Sequence, residues 1–129
     1  MAYHILIVDD SKIVRSMIKK GITMSGAEVD LVCEASNGIE ALHKLTDERI
    51  DIVFTDLHMP EMDGMELIQK MSEQNLLETI AVVVLSSDRS EKRIDELKRI
   101  GVRGYVTKPF LPESLREVMD ALTGDTVVW

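Results

Sequence analysis

Cysteine is almost absent from this chain: Cys33 is the only one among 129 residues. That excludes an intramolecular disulfide and a thiolate zinc site, and it fits a reducing compartment. No run approaches the roughly 20 consecutive apolar residues that a membrane-spanning helix needs. Met1 leads straight into an apolar run with no signal-peptide pattern, so a cytoplasmic protein without membrane attachment is expected. A basic surplus is also missing, with 15 Lys and Arg against 23 Asp and Glu and a formal net charge of -8. Binding to a polyanion needs a basic face, so nucleic acid is not an expected partner. His4 and His43 stand at no metal-ligand spacing and are read as structural or surface residues. The chain has no internal repeat, low-complexity tract or linker.

What remains is the composition of one globular domain. Hydrophobic residues make up 45% and charged residues 29%, which is too apolar for a disordered chain. Two kinds of segment alternate along it. Runs rich in Val, Ile and Leu at His4–Val8, Val29–Cys33, Ile50–Thr55, Ile80–Leu85 and Gly104–Val106 predict strands buried on both faces. Between them, apolar residues recur at helical spacing: Ile13, Val14, Met17, Ile18 and Ile22 in the first segment, Ala41, Leu42 and Leu45 in the second. Met65, Leu67, Ile68 and Met71 mark the third, Ile94, Leu97 and Ile100 the fourth, and Leu115, Val118, Met119 and Leu122 the fifth. Gly101 and Gly124 are expected to close the last two helices, and Pro112 sits in a first turn, where helices tolerate it. The eight methionines are scattered over helical faces, and core packing is expected of them. Five strand and helix pairs predict an α/β fold, a parallel sheet covered by helices on both sides.

The ends of two apolar runs carry the chemistry. The first run ends in Asp9-Asp10 and the third in Asp56. If these runs are neighbouring parallel strands, all three carboxylates meet in the crevice at the carboxyl ends, where open α/β sheets bind ligands. Such anions repel one another unless a cation shares them, so the cluster calls for a hard divalent metal. Mg²⁺ suits it, because it takes octahedral oxygen ligands, keeps some waters and accepts one or two carboxylates plus a phosphoryl oxygen.

Asp9-Asp10-Ser11, Asp56, the loop Met59-Pro60-Glu61-Met62-Asp63-Gly64, Ser86 and Tyr105-Val106-Thr107-Lys108-Pro109-Phe110 occur in order, each after a predicted strand. In this set the chain resembles the receiver domain of two-component response regulators, and most of all the stand-alone, CheY-like chemotaxis receivers. The match runs from Tyr3 to Leu122. The resemblance implies a (βα)5 doubly wound fold of flavodoxin/CheY type with strand order 2-1-3-4-5. It also implies that Asp56 accepts a phosphoryl group from a phosphohistidine of a histidine kinase, with Mg²⁺ held by Asp10 and Asp56 directly, by Asp9 through water, and by the backbone carbonyl of His58. Lys108 and Ser86 would contact the phosphoryl oxygens, and Tyr105 would be the switch aromatic, turning into space that Ser86 vacates. The altered face would be that of the fourth helix, fifth strand and fifth helix. The expected output partner binds there, a flagellar motor component in the chemotaxis case, and a phosphatase is a further expected partner.

On this reading the protein is a switch that catalyses its own phosphotransfer and hydrolysis, not an enzyme acting on a separate substrate. It is expected to be a monomer, complete as it stands, with a receiver domain over 1–124 and a short tail over 125–129. The alternatives are a phosphorelay intermediate and a binding module that works without phosphorylation. Residue by residue, Asp9 or Ser11 is open to a reading as a helix cap, Ser86-Ser87-Asp88 as the cap of the fourth helix, and Tyr105 as a strand-end tyrosine with one wet end. His58 reads as a surface residue or as a group near the attacking water, and Asp88 as added charge at the mouth. Two other classes fit worse. A phosphohydrolase of the haloacid dehalogenase type needs a second acid two residues after the nucleophile, where this chain has His58. A flavodoxin-like carrier needs a hydroxyl- and glycine-rich phosphate loop, where it has Asp9-Asp10-Ser11-Lys12.

Overall fold

The computed structural model describes residues 2–123. Its strands are β1 (Tyr3–Val8), β2 (Val29–Ala35), β3 (Ile52–Asp56), β4 (Ala81–Ser86) and β5 (Gly104–Thr107). The helices are α1 (Lys12–Ser25), α2 (Gly38–Asp47), α3 (Gly64–Glu73), α4 (Glu91–Ile100) and α5 (Pro112–Thr123). All pairings are parallel, in the order β2-β1-β3-β4-β5. The α/β expectation and this strand order are both met. A 3₁₀ turn at Leu76–Glu78 was not foreseen; it is too short to have a period of its own.

Successive side chains of a strand point to opposite faces, and this alternation divides the core. Ile5, Ile7, Phe54, Val83 and Leu85 face Ile18 and Ile22 of α1 and Leu115, Val118 and Met119 of α5. Leu6, Val8, Val53, Val82 and Val84 face Ala41 of α2, Leu67, Ile68 and Met71 of α3, and Leu97 of α4. Each fully buried Leu, Ile or Val stabilises by about 1.5–3 kcal/mol, so the two layers together fix the central strands and hence their carboxyl ends. Met71 and Met119 are fully buried, and Met59, Met62 and Met65 pack against the core from one side.

Burial on both faces holds for the inner strands but not for β2, whose Asp30 and Val32 are exposed. It is an edge strand, and only one of its neighbours is a strand. It also runs past Cys33 to Ala35, because the ladder continues to Val8↔Ala35. β3 starts later than expected, at Ile52. Asp51 instead ties its side chain to the His4 N–H at 2.8 Å, while Ile50 stays buried outside the strand. His4 has a structural role: its ring nitrogens lie 2.8 Å from the Arg49 carbonyl and 3.3 Å from Asp30 Oδ2, whereas His43 is exposed.

The helix ends follow their signals. Ser11, Asn37, Asp63 and Ser90 cap α1 to α4 at their N-termini, and Gly101 closes α4 with φ 118°. The cap expected at Gly124 and the tail over 125–129 lie outside the described residues.

Candidate functional site

Because β1 and β3 are neighbours with Val8 opposite Thr55, the residues that end them are brought together. One ligand oxygen from each of Asp9, Asp10 and Asp56 lies within 4.8 Å of the others. Asp9 and Asp56 are 1% and 7% exposed, whereas Asp10 is open to solvent. Three hard oxygen donors at this spacing fit a small divalent cation such as Mg²⁺.

Lys108 enters this cluster from beyond β5. Its main-chain N–H donates to the Ser86 carbonyl at 2.9 Å, and the side chain reaches over the end of β4. The ammonium lies 3.0 Å from Asp9 Oδ2 and 3.2 Å from Asp56 Oδ2. The repulsion that sequence alone assigned to a metal is thus already shared by Lys108, and Asp10 is the acid left facing solvent. Burial is the main influence on Asp9 and raises its pKa above the usual carboxylate value, against hydrogen bonds from the Ser11 N–H and Lys108. Burial works the other way on Lys108, but Asp9 and Asp56 outweigh it and hold the ammonium above the ordinary lysine value. Beside Lys108 lies a hollow of about 330 Å³ lined by Val14, Met17, Ser87, Pro109 and Phe110.

Ser86 ends β4 and is fully buried. Its hydroxyl accepts the Asp88 N–H at 3.1 Å, and Ser90, not the Ser86–Asp88 stretch, caps α4. Asp88 is committed to the same loop: Oδ1 accepts the Ser90 N–H at 2.9 Å, and Oδ2 lies 3.9 Å from Arg93 Nε. Tyr105, on β5 opposite Val84 of β4, donates its hydroxyl to the Asp88 carbonyl and also bonds to Ser86. Burial raises its phenol pKa. The Tyr105 and Ser86 hydroxyls thus meet the same residue, one at the Asp88 carbonyl and the other at its N–H. The partner that holds Tyr105 is a main-chain carbonyl, which a side-chain motif does not disclose.

His58 is exposed on the loop after Asp56. That loop is pinned at its start, where Asp56 Oδ1 accepts the Leu57 N–H at 2.8 Å, and at its end, where the Gly64 N–H meets the Leu57 carbonyl at 2.9 Å. A Cβ on Gly64 would lie 2.1 Å from the Asp56 carbonyl oxygen, so only glycine lets α3 start this close to the acid.

Two supports of the site escaped the sequence reading. Arg15 donates from Nη1 to the Asp9 main-chain carbonyl and from Nε to Glu34 at 2.9 Å, and Glu34 also holds Lys19 at 2.6 Å. Asn37 reaches Glu61 at 3.2 Å. Arg15 sits one helical turn past the Ser11 cap, which is a usable signal; the Asn37 to Glu61 link crosses 24 positions and leaves none.

With this geometry in hand, similarity to known proteins is specific. Residues 5–120 match the response regulator receiver domain family. The chain is 34% identical over 121 residues to a chemotaxis protein CheY homolog of Campylobacter jejuni, covering 93% of this chain and 92% of that one. It is 34% identical to chemotaxis protein CheY1 of Helicobacter pylori, over 93% of this chain and 96% of that one. Among solved structures, CheY4 of Vibrio cholerae superposes with a TM-score of 0.80 at 31% identity, covering 93% of this chain and 98% of that one. The receiver domain of RcsB from Salmonella enterica, at 22% identity, shares the fold with a TM-score of 0.88 over 100% of this chain and 94% of that one. This chain belongs to the response regulator receiver domain family, as a CheY-like member.

Proposed function

We propose that the protein is a phosphorylation-switched signalling receiver that accepts a phosphoryl group on Asp56 from a histidine kinase, with Mg²⁺ as cofactor. The observation that carries this reading is the convergence of Asp9, Asp10, Asp56 and Lys108 at the ends of β1, β3 and β5. Asp56 Oδ1 is engaged by the Leu57 N–H, so Oδ2, the oxygen facing Lys108, is the one that attacks phosphorus. An O–P bond forms, the P–N bond to the donor imidazole breaks, and that nitrogen takes a proton from solvent. Lys108 stabilises the charge on the transferring oxygens, and buried Ser86 supplies a hydroxyl donor. Asp10 and Asp56, with Asp9 through water and the His58 carbonyl, would hold Mg²⁺, which supplies further positive charge to the phosphoryl group. The expected measurement is simple: with acetyl phosphate the intact mass gains one phosphoryl group when Mg²⁺ is present and none when it is chelated. Labelling that ignores Mg²⁺ would contradict the cofactor assignment.

Hydrolysis of the acyl phosphate by the same residues resets the switch, so the protein turns over only its own phosphoryl group. The CheY-named relatives support a chemotaxis role in the cytoplasm, with an output partner such as a flagellar motor component on the face of α4, β5 and α5. A phosphatase that ends the signal belongs to the same reading. Ser86 is the link between the site and that face, because its hydroxyl meets Asp88, whose carbonyl holds Tyr105. Such coupling is a biased two-state equilibrium worth about 1–3 kcal/mol. Ser86→Ala is expected to take up the phosphoryl group yet leave the NMR shifts of Tyr105 and α4 near their resting values. Full wild-type shifts in that variant would remove Ser86 from the route.

A further inference from the structure

The loop between β2 and α2, together with the start of α2, grips the loop that follows Asp56. Asn37 is 8% exposed, and its amide is engaged through both its oxygen and its nitrogen. Oδ1 accepts the Glu40 N–H at 2.9 Å as the cap of α2, and Nδ2 donates to Glu40 Oε2 at 3.3 Å and across to Glu61 Oε2 at 3.2 Å. Glu61 has φ 65°, a left-handed conformation in which a residue with a Cβ is strained. The next residue, Met62, accepts the Gly38 N–H at 2.9 Å, and a Cβ on Gly38 would lie 2.6 Å from Met62 Cγ. The cap and the first residue of α2 therefore clamp two successive residues of the loop after Asp56. The far end of the gripped loop is fixed by Gly64 on Leu57. Between these anchors runs the stretch that carries His58.

We propose that Asn37 is a positioning residue for the metal site, holding Glu61 in its strained conformation and so setting the His58 main chain beside the acid cluster. This rests on the Mg²⁺ reading above. The bond is charge-assisted and nearly buried at the donor, so its loss releases Glu61 toward an ordinary backbone conformation and lets the loop drift from the acids. Partners that orient a ligand without touching the metal often matter nearly as much as the ligands.

Asn37→Ser keeps a good helix cap but has too short a side chain to reach Glu61. Glu61→Ala removes the acceptor at an exposed residue and keeps a Cβ at the strained position, whereas Glu61→Gln keeps an oxygen for Asn37. Mg²⁺ affinity is read by titration of the backbone amide shifts of Asp10, Leu57 and His58. It is expected to fall about tenfold in Asn37→Ser and in Glu61→Ala, to fall no further when both are combined, and to stay near wild type in Glu61→Gln. If Asn37→Ser does not fold, Glu61→Ala and Glu61→Gln carry the test alone. Unchanged affinity in Glu61→Ala, or additive losses in the double variant, overturns the positioning role while leaving the metal site standing. Absence of Mg²⁺ binding by the wild-type protein removes the metal reading and this role with it.

Discussion

Asp56→Asn is expected to reduce labelling by acetyl phosphate by roughly 10,000-fold or more, since removal of a nucleophile typically costs that much. Asparagine retains an oxygen to accept the Leu57 N–H, so the loop keeps its anchor and the loss is chemical, not structural. The neighbouring acids are poor substitutes. Asp9 is 1% exposed and paired with Lys108, and Asp10 is open to solvent. Removing one of three clustered negative charges also relieves repulsion, so the variant should unfold no earlier than the wild type. Intact-mass spectrometry of both proteins under the same conditions decides the matter. Full labelling of Asp56→Asn would move the nucleophile elsewhere.

Lys108→Ala is expected to act first on stability. The ammonium is the partner of two nearly buried carboxylates, and stripping the cation from such an arrangement costs about 3 kcal/mol, at the lower end because Lys108 is partly hydrated. For a domain of this size that corresponds to a melting point lower by roughly 10 °C. The loss should depend on pH with a definite sign. Asp9 already has a raised pKa, mainly through burial, and Lys108 is one of the influences lowering it, so its removal raises the value further. A carboxyl whose folded pKa exceeds its unfolded one binds protons more tightly when folded, so stability is gained as pH falls through the folded value. The gap between Lys108→Ala and wild type should therefore be wide at pH 8 and narrower at pH 5. Mg²⁺ should narrow it as well, by returning a cation to the acids. Thermal unfolding at the two pH values tests this, and an equal deficit at both would mean that Lys108 acts by packing alone. Phosphorylation should persist in the variant at a reduced rate, because Asp56 is intact.

The sheet was legible because its inner strands are apolar on both faces, and only inner parallel strands need be. The same logic misread β2, where Asp30 within the run already marked a solvent-facing side. The acid cluster was legible because strand ends are where parallel sheets expose side chains, so three aspartates at two strand ends had one place to meet. The cation that shares them was harder to place. Lys108 lies 99 residues from Asp9, and only the order of β4 and β5 beside β3 brings it over. A link made through a main-chain atom, such as Tyr105 to the Asp88 carbonyl, leaves no trace in side-chain identity. The clamp of Asn37 and Gly38 on Glu61 and Met62 depends on two loops meeting. Asn37-Gly38 reads in sequence only as a turn and a helix cap.

One carboxylate, Asp56, is expected to carry the phosphoryl group, and chemical trapping identifies it. Borohydride reduces an acyl phosphate to an alcohol, which converts a phosphorylated aspartate to homoserine and leaves free carboxylates untouched. Wild-type protein treated with acetyl phosphate and Mg²⁺, then with borohydride, is expected to yield homoserine at position 56 and nowhere else on peptide mapping. Homoserine at position 9 or 10, or an unmodified position 56 in protein whose mass shows the phosphoryl group, would contradict the account.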